Sequence, residues 1–465
     1  MNRKLKSKND ASFQCFKITD KAPHSLFLIF LFSLFSFHLF AQEFGFGFAD
    51  EETGSSPSVN RPLSVSINGE VAASMVGYTE DFSDGLDHVR LGDIFSGKLK
   101  FAAGTSVAEG VINLNLKPAE SPVSFDEAYV RAYFGSFDVT AGLRKLTWGK
   151  ADSFGPLDVV NPLDYSQIFV EMADNSSLLG VKIARPLVHA AYRFGDFSKI
   201  EGVFVPWFEP HKLPQKGRWA VSQMGMLTLA ESSGVSVKEP DTSTLDYAQA
   251  GFRFTTTIGS ADIGAQYYYG RLPEPSVGLT FTSSPIPMVD ILYNAYHQIG
   301  FDYAQVLFGF NTRAELAANI TNDMKGDDGS IYNPSIAWSL GFDRDIVWGI
   351  NLNLQVNESI RLFHDKIGSD NIMSGNFDIE GGSDLTATRL TARVSKKFLR
   401  DELELRAAIA WGIEDSDCAI MPAIVWTKDA LQLALSGGFF AGDSDGQIGQ
   451  YRDNHFLKLS CIYTF

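Results

Sequence analysis

The sequence predicts an all-β fold, a single transmembrane antiparallel β-barrel of about 18 strands (16–20). Three observations predict it. Apolar and polar residues alternate with a period of two along nearly every segment after residue 61. The alternating stretches run about 10–15 residues, which suits a tilted bilayer crossing and exceeds the usual strand of a soluble sheet. The chain also begins with a segment of the export type.

Residues 1–41 have the parts of a signal peptide. A basic start at residues 3–8 is followed by an almost unbroken run of Leu, Phe and Ile at residues 25–40, and Ala41 suits the last position before cleavage. A single anchoring helix is the alternative, but the run is short for a span and contains His38. We expect residues 42–61 to form a flexible periplasmic leader and residues 62–465 to form the barrel.

Composition excludes several classes of protein. Cleavage would leave 33 basic and 53 acidic residues, a net charge of −20, which argues against a nucleic-acid partner. No run of about 20 apolar residues follows residue 41, so a polytopic helical membrane protein is excluded. Cys418 and Cys461 lie in no metal-ligand or redox spacing, and we predict two free thiols and no cofactor.

Residues 306–321 show the alternation most clearly and are interpreted as one strand. Phe308 and Leu316 fall on its apolar face, whereas Arg313 and Glu315 fall on its polar face. A soluble β-sandwich is the alternative, with shorter strands and its apolar faces turned inward. Lipid offers no partners to backbone groups, so only a closed barrel can present an apolar sheet to it.

The connections between strands are of two kinds, which predicts the strand number. Bacterial barrels have short periplasmic turns and longer outer loops, and strict alternation of the two kinds gives 18 strands. This count requires residues 178–194 to be one strand despite Pro186. The short connections are predicted at residues 104–107, 135–136, 195–198, 259–260, 304–305, 344–345, 399–402 and 427–429. The long ones are predicted at residues 79–93, 118–123, 148–177, 207–245, 271–289, 322–332, 362–383, 414–417 and 442–453.

The end of the chain resembles the closing strand of bacterial outer-membrane proteins. Alternate residues from Leu457 to Tyr463 share one face with Phe465, on which the chain stops. In that class of protein the last residue is commonly phenylalanine and is recognised by the barrel-assembly machinery. The resemblance implies the cell outer membrane as the location, with its lipid and that machinery as partners.

A second resemblance lies in the middle of the chain. Residues 146–165 read LTWGKADSFGPLDVVNPLDY, which is similar to the "WG…D…DV.NP.D" stretch of a porin-like, uncharacterised family of outer-membrane barrels. Residues 202–214, GVFVPWFEPHKLP, resemble the segment that follows in that family. The resemblance implies a barrel and leaves the substrate open.

Charged residues on the polar faces are the candidate lining of a lumen. Basic side chains in a narrow pore favour anions, so we expect a mild anion preference; the alternative is that the charges pair across the wall and only stabilise it. The basic residues are Lys98, Lys100, Arg131, Arg144, Arg253, Arg313, Arg389, Arg393, Arg406 and Lys458. The acidic residues are Glu127, Asp138, Asp262, Asp302, Glu315 and Glu404.

The 30-residue connection at residues 148–177 is too long to be structureless without a role. We predict that it folds inward and narrows the channel. The alternative is an interfacial aromatic belt followed by an ordinary Asn-Pro turn. The constriction residues are predicted to be Trp148, Asp152, Asp158, Asn161, Pro162 and Asp164.

Barrels of 16–18 strands leave an aqueous lumen, so the predicted function is passive diffusion or uptake of small solutes across the outer membrane. A surface-exposed structural or adhesin-type barrel, with outer loops that bind a partner, is the alternative. No enzyme is predicted: residues 442–446 fit G-x-S-x-G but lie in an acidic loop without the strand and helix that a nucleophile elbow needs. Monomer and oligomer remain open.

Overall fold

The computed structural model describes residues 63–79, 95–118, 121–174, 178–232, 234–280, 288–371 and 376–465. The predicted signal peptide and leader lie outside the described residues. Within the described ranges, no helix has the length and apolar character needed to cross a membrane.

Eighteen of the described strands form one sheet, in which consecutive barrel strands pair antiparallel. The last strand pairs with the first, with Tyr78 opposite Phe456, so the sheet closes into a barrel without a free edge. The barrel strands are β1 (Ser64–Tyr78), β2 (Phe95–Gly104), β3 (Ala108–Lys117), β4 (Ser121–Phe134), β5 (Phe137–Arg144), β6 (Arg185–Phe194), β7 (Ser198–Val205), β9 (Gln249–Ile258), β10 (Ala261–Arg271), β13 (Ala295–Leu307), β14 (Phe310–Thr321), β15 (Ser335–Asp345), β16 (Ile350–Arg361), β17 (Thr386–Phe398), β18 (Leu403–Gly412), β19 (Asp417–Lys428), β20 (Leu431–Ala441) and β21 (Phe456–Thr464).

The remaining regular structure lies in the long connections. Three short strands, β8 (Val237–Lys238), β11 (Ser276–Thr280) and β12 (Met288–Leu292), form a separate small sheet. Helix Ile168–Asp174 lies between β5 and β6, and helix Ser222–Ser232 lies between β7 and β8.

The predicted alternation of connections, and with it the count of 18 strands, is confirmed. At one end of the barrel, eight connections of two to four residues join the strands. The connections at the other end are longer, apart from those after β3 and β18. Consecutive strands therefore run up and down the wall, as the alternation of short and long connections predicts.

Two predicted turns are misplaced. Residues 306–321 are not one strand, because Phe308 and Gly309 adopt positive φ angles of 54° and 80° and form the turn between β13 and β14. The turn predicted at residues 344–345 lies instead at residues 346–349, where Trp348 has a φ of 62°. An aromatic residue in a turn continues the apolar alternation, so the pattern alone does not reveal the reversal.

Residues 178–194 are also not one strand. Leu178–Gly180 form a single 3₁₀ turn, and β6 begins only at Arg185. Proline cannot donate a ladder hydrogen bond, which confines it to strand ends and irregular positions; Pro186 is the second residue of β6. The strand count survives because residues 178–184 belong to the preceding connection.

The outer face of the wall is apolar. On β14, Leu316 is 48 % exposed whereas the next residue, Ala317, is fully buried. On β20, Leu433, Leu435 and Phe439 are exposed in the same way. A closed sheet satisfies its own backbone hydrogen bonds and can present an apolar outer surface, which is the architecture of outer-membrane β-barrels.

Phe465, the residue after β21, continues the pairing of this strand with β1. The backbone N–H and C=O of Phe465 both pair with Gly69, each at 2.8 Å. A Cβ at position 69 would lie 2.7 Å from the Phe465 ring, so glycine makes room for the terminal aromatic side chain. Leu457, Leu459 and Tyr463 are exposed on the outer face, as the alternation predicts.

The two described cysteines, Cys418 and Cys461, are free, which confirms the prediction. Cys418 is the second residue of β19, at the long-connection end, whereas Cys461 lies toward the short-turn end of β21. A membrane wall about 25 Å tall separates these levels, far more than a disulfide spans.

Candidate channel and constriction site

Residues that face one another in the register share a face of the sheet. Glu315 on β14 lies opposite Asp302 on β13. Following such pairs from strand to strand identifies the residues that share the inner face. This face carries all predicted lining residues: Lys98, Lys100, Arg131, Arg144, Arg253, Arg313, Glu315, Arg389, Arg393, Arg406 and Lys458. It also carries Glu127, Asp138, Asp262, Asp302 and Glu404. That these residues line an open channel stays a prediction.

Most of the basic groups on the inner face are paired with carboxylates. On β4 and β5, the Arg131 guanidinium lies 3.5 Å from Asp138 and 3.6 Å from Glu109. Asp138 is 1 % exposed and also binds Arg193 at 2.6 Å. Its charge is therefore shared between two arginines. Arg144, at the end of β5, donates to the Thr140 hydroxyl at 3.0 Å.

A second charge cluster joins β6, β7, β9 and β13. Arg253 lies 2.7 Å from Asp302 and 3.7 Å from Glu201. Glu201 also contacts His189 at 3.0 Å and Lys199 at 3.3 Å. Burial makes unpaired charges costly, and here each buried charge has a partner of opposite sign.

A third cluster lies on β17–β19. Arg389 lies 3.5 Å from Asp415 and 3.4 Å from Asp417, and Arg393 lies 3.6 Å from Glu404. The three clusters support the alternative in which wall charges pair with one another, so the net basic field is weaker than the residue types alone suggest.

The inner face of β2 is more open to water. The Lys98 side chain is 59 % exposed and pairs with Glu70 at 2.9 Å. Lys100, one pleat further along β2, is also exposed. The inner surface at Lys98 and Lys100 is therefore accessible to water.

Glu315 binds the backbone of the long β5–β6 connection. Its carboxylate is 3 % exposed and accepts hydrogen bonds from the backbone N–H groups of Lys150, Ala151 (2.7 Å) and Leu157 (3.3 Å). Gly149 approaches so closely, at a φ of 93°, that a Cβ there would collide with this carboxylate. One inward-facing side chain therefore holds a full turn of the connection.

Asp152 binds the connection to the inner wall nearer the short-turn ends of β14 and β16. It lies 2.5 Å from Arg313 and accepts a hydrogen bond from Asn353 at 2.9 Å. The backbone N–H groups of Asp152 and Ser153 both donate to the Gln355 side chain, at 3.0 and 3.2 Å.

Two further amides hold the connection from β10 and β13. Gln266 donates to the Leu157 carbonyl and Gln298 to the Pro156 carbonyl, each at 2.9 Å. Trp148, 3 % exposed, packs edge-on against Tyr268 with a ring-centroid distance of 6.2 Å. Hydrogen bonds and apolar packing thus fix residues 148–157 against the inner faces of β10, β13, β14 and β16.

Asn161 joins the two ends of the connection. Its side chain accepts from the Leu146 N–H at 2.7 Å and donates to the carbonyls of Arg144 (3.1 Å) and Ile183 (2.9 Å). The Pro162 carbonyl accepts from the Ile183 N–H at 2.8 Å. These two residues therefore close the base of the loop and do not reach across the barrel.

Asp158 and Asp164 are each paired with a lysine. Asp158 lies 2.5 Å from Lys182, and Asp164 lies 2.8 Å from Lys212. Burial raises the pKa of the Asp164 carboxyl, but hydrogen bonds from Lys212 and Ser166 outweigh it, so its pKa lies below the ordinary value. Burial raises the pKa of the neighbouring Tyr165 phenol, which stays neutral.

The second part of the connection contacts a different part of the wall. In helix Ile168–Asp174, Phe169 packs on Phe440 of β20 at 5.0 Å. The Val170 carbonyl accepts from Lys458 of β21 at 3.2 Å, and the Ala173 carbonyl accepts from Arg406 of β18 at 3.1 Å. One connection thus bridges two arcs of the inner wall.

Four of the wall residues that hold the connection, Arg313, Glu315, Arg406 and Lys458, were predicted to face inward, whereas the glutamines were missed by sequence reasoning. Gln266, Gln298 and Gln355 look like ordinary polar-face residues of strands, because an amide side chain suits water and a backbone equally well. Gly149 and Gly155, which both lie against Glu315, were the available signal within the loop. Among the described residues, no group of three or more His, Cys, Asp or Glu side chains could hold a metal ion.

No protein-family model matches the sequence, and no curated protein matches it. Solved structures with a similar fold include OprD of Pseudomonas aeruginosa, at 9 % identity and a TM-score of 0.49, covering 88 % of this chain and 98 % of that one. OccD3 (OpdP) of the same organism is similar at 9 % identity and a TM-score of 0.48, covering 88 % and 94 %. Salmonella typhi OmpF, solved in complex with daunomycin, is similar at 7 % sequence identity and a TM-score of 0.38, covering 86 % of this chain and 97 % of that one. The likeness concerns the barrel fold, and the family resemblance of residues 146–165 stays a prediction.

Proposed function

We propose that this barrel is an outer-membrane channel for passive diffusion or uptake of small solutes, narrowed by residues 148–177 folded into the lumen. The observation that carries the proposal is the Glu315 carboxylate, an inner-wall group that accepts three backbone N–H groups of that connection. Backbone donors that lie across the lumen from their own strands need such acceptors, because a buried unpaired N–H is costly.

The passage is off-centre. An 18-stranded barrel without a loop inside would enclose a wide aqueous lumen. The connection covers the inner faces of β10, β13 and β14, where Gln298 is 1 % exposed. The exposed side chains of Lys98 and Lys100 support a water-filled path along β2.

Selectivity is proposed to be weakly anionic. Lys98 and Lys100 lie beside the open path, and basic groups there lower the energy of a passing anion. The arginines contribute less, since Arg131, Arg253 and Arg389 each lie beside carboxylates. Both contributions weaken with salt because screening shortens the range of exposed charges.

Outer-membrane lipid is the proposed solvent of the apolar outer face, and the barrel-assembly machinery is the proposed partner of the closing strand. The exposed residues Leu457, Leu459 and Tyr463 precede Phe465 on one face. This pattern supports recognition of the strand before it pairs with β1.

Planar-bilayer recording of the purified barrel tests the channel. We expect stepwise currents with a modest reversal potential toward anions in a salt gradient. A barrel that inserts but carries no current, with or without residues 149–157, would contradict the proposal and favour a structural or adhesin-type role.

A further inference from the structure

An apolar patch lies on the inner face of the barrel near the short-turn end. It consists of Ala423 and Val425 of β19 and Ala434 of β20, which form one hydrophobic cluster and are called the inner patch below. Val425 lies opposite Glu404 and Ala434 in the register, so the patch shares the inward face of these strands. The interior of a membrane barrel is ordinarily polar. The patch is therefore an exception to the pattern of the inner wall.

The inner patch is also buried. Val425 and Ala434 are each 2 % exposed, whereas the Lys98 side chain on the same inner face is 59 % exposed. No further described apolar side chain packs on the cluster. Ser460, opposite Ala434, is buried too, and its hydroxyl has no hydrogen-bond partner among the described residues. Because a buried hydroxyl without a partner is costly, the burial requires a cover on the lumen side of the wall that offers both apolar and polar groups.

The β5–β6 connection meets this arc further from the short turns. In helix Ile168–Asp174, the Val170 carbonyl accepts from Lys458. Ser460, one pleat beyond Lys458, lies opposite Ala434, so the patch begins where this contact ends. Apart from the start of the chain, the stretches outside the described ranges all belong to long connections at the opposite end of the barrel. The start of the chain is therefore the segment best placed to supply the cover.

The chain enters the barrel beside the inner patch. β1 begins at Ser64, opposite Gly104 at the short turn between β2 and β3. β21 separates β1 from β20, and neighbouring strands lie about 4.8 Å apart, so the distance from β1 to β20 is about 10 Å. Residues 47–61 span up to about 50 Å when extended. This length is ample for the segment to turn at the rim and return along the inner wall.

The composition of residues 47–61 suits the surfaces on both sides of this entry point. Phe48 offers apolar surface to the inner patch, and an acidic run follows at residues 50–52. On the other side of β1, strand β2 presents Lys98 and Lys100 to the lumen, and both are exposed. Opposite charges attract over about 8 Å at physiological salt. One segment can thus satisfy an apolar surface and a basic surface together.

We propose that residues 47–61 fold back into the lumen at the short-turn end, with Phe48 on the inner patch and the acidic run directed toward Lys98 and Lys100. The segment then narrows the passage at the end opposite to the long connections. The docking does not rest on the proposed channel, and only its effect on conductance does.

Thiol accessibility of the purified, detergent-solubilised barrel tests the docking. In a Cys418→Ser, Cys461→Ser background, Val425→Cys is treated with N-ethylmaleimide, with residues 47–61 either native or replaced by a Gly-Ser linker of equal length. The linker should raise the labelling rate roughly ten-fold or more, because a covered thiol is shielded from the reagent. Lys199→Cys, on the inner face of β7 across the barrel, is the control and should label equally fast in both forms.

Two results would overturn the proposal. Fast labelling of Val425→Cys in both forms would show that the inner patch is open. Slow labelling in both forms, with complete labelling after unfolding, would assign the cover to another part of the chain. Reversing the acidic run by Asp50→Lys, Glu51→Lys and Glu52→Lys keeps the length and Phe48, and it should also speed labelling. An unchanged rate in this variant would overturn the contact with Lys98 and Lys100.

Conductance of the same preparations separates the docking from the channel. The linker form should conduct more than the native form. Leader-dependent protection of Val425→Cys in a barrel that carries no current would retain the docking and overturn the channel. A conducting barrel in which Val425→Cys labels fast with the native segment would overturn the docking alone.

Discussion

The inner wall of the barrel has two contrasting arcs. On β10, β13, β14 and β16, the inward side chains of Gln266, Gln298, Glu315 and Gln355 are buried, and they bind the backbone of the β5–β6 connection. On β2, the inward side chains are the exposed Lys98 and Lys100. Both arcs are polar in sequence, yet one is covered and the other faces water.

The difference shows what a polar inner face can do in a wide barrel. Amide and carboxylate side chains can form the hydrogen bonds that the backbone of a covering segment needs. The covered arc then carries few charges that a solute could meet. Long, hydrated ammonium groups lose more on being covered. The position of a passage therefore depends on which arc offers hydrogen bonds to a loop.

The largest effect on conductance should come from removing the segment that covers the inner faces of β10, β13, β14 and β16. Replacement of residues 149–157 by a short Gly-Ser linker should raise single-channel conductance about two-fold or more, because the passage would then approach the full lumen of an 18-stranded barrel. A linker of equal length in the 362–383 connection serves as a control and should leave conductance near wild type. Unchanged conductance in the first variant would show that the segment does not limit the passage.

A smaller effect is expected from loosening the contact. Glu315→Leu leaves the N–H groups of Lys150, Ala151 and Leu157 without their acceptor, at about 1–3 kcal/mol for each that stays buried. The current should become noisy, with transient openings toward the level of the deletion. Glu315→Gln retains an acceptor oxygen and should be quieter. Quiet wild-type currents from Glu315→Leu would argue against Glu315 as the anchor.

Neutralising the open arc should change selectivity without changing conductance greatly. Lys98→Gln with Lys100→Gln should move the reversal potential by several millivolts toward cations, since both side chains face the proposed path. Arg131→Gln, on a paired residue, should move it less. A larger shift from Arg131→Gln would place the path along β4 and not along β2. High salt should shrink both shifts.

The smallest effect on the channel is expected from epitope insertions, which test the orientation of the barrel in the membrane. The segment can enter the lumen from the outer mouth only if the long connections lie outside the cell. An epitope inserted near Ser232 or within residues 362–383 should be labelled on intact cells, and one in the 195–197 turn should not. If only the 195–197 turn were labelled, the barrel would have the opposite orientation in the membrane.

Much of the wall could be predicted from sequence, because lipid on one side and water on the other impose a strict period of two. Strand number, closure and the inward placement of Arg313 and Glu315 follow from that period. The turn at Phe308 and Gly309 does not, since its aromatic residue mimics a strand position. The partners of Asp152 could not be predicted either, because Arg313 and Asn353 lie far away in sequence and meet it only across the lumen.

Covalent trapping tests the covered arc most directly. In a Cys418→Ser, Cys461→Ser background, the pair Asp152→Cys and Asn353→Cys joins positions whose side chains are 2.9 Å apart. Because cysteine is shorter than either native side chain, a short bifunctional thiol reagent that couples through disulfides supplies the bridge. We predict that it links this pair in native outer membranes as efficiently as the cross-strand control Glu70→Cys with Lys98→Cys. Reduction should leave wild-type conductance. Efficient cross-linking of the control pair with no 152–353 cross-link would contradict the account, because the segment would then lie away from the inner wall.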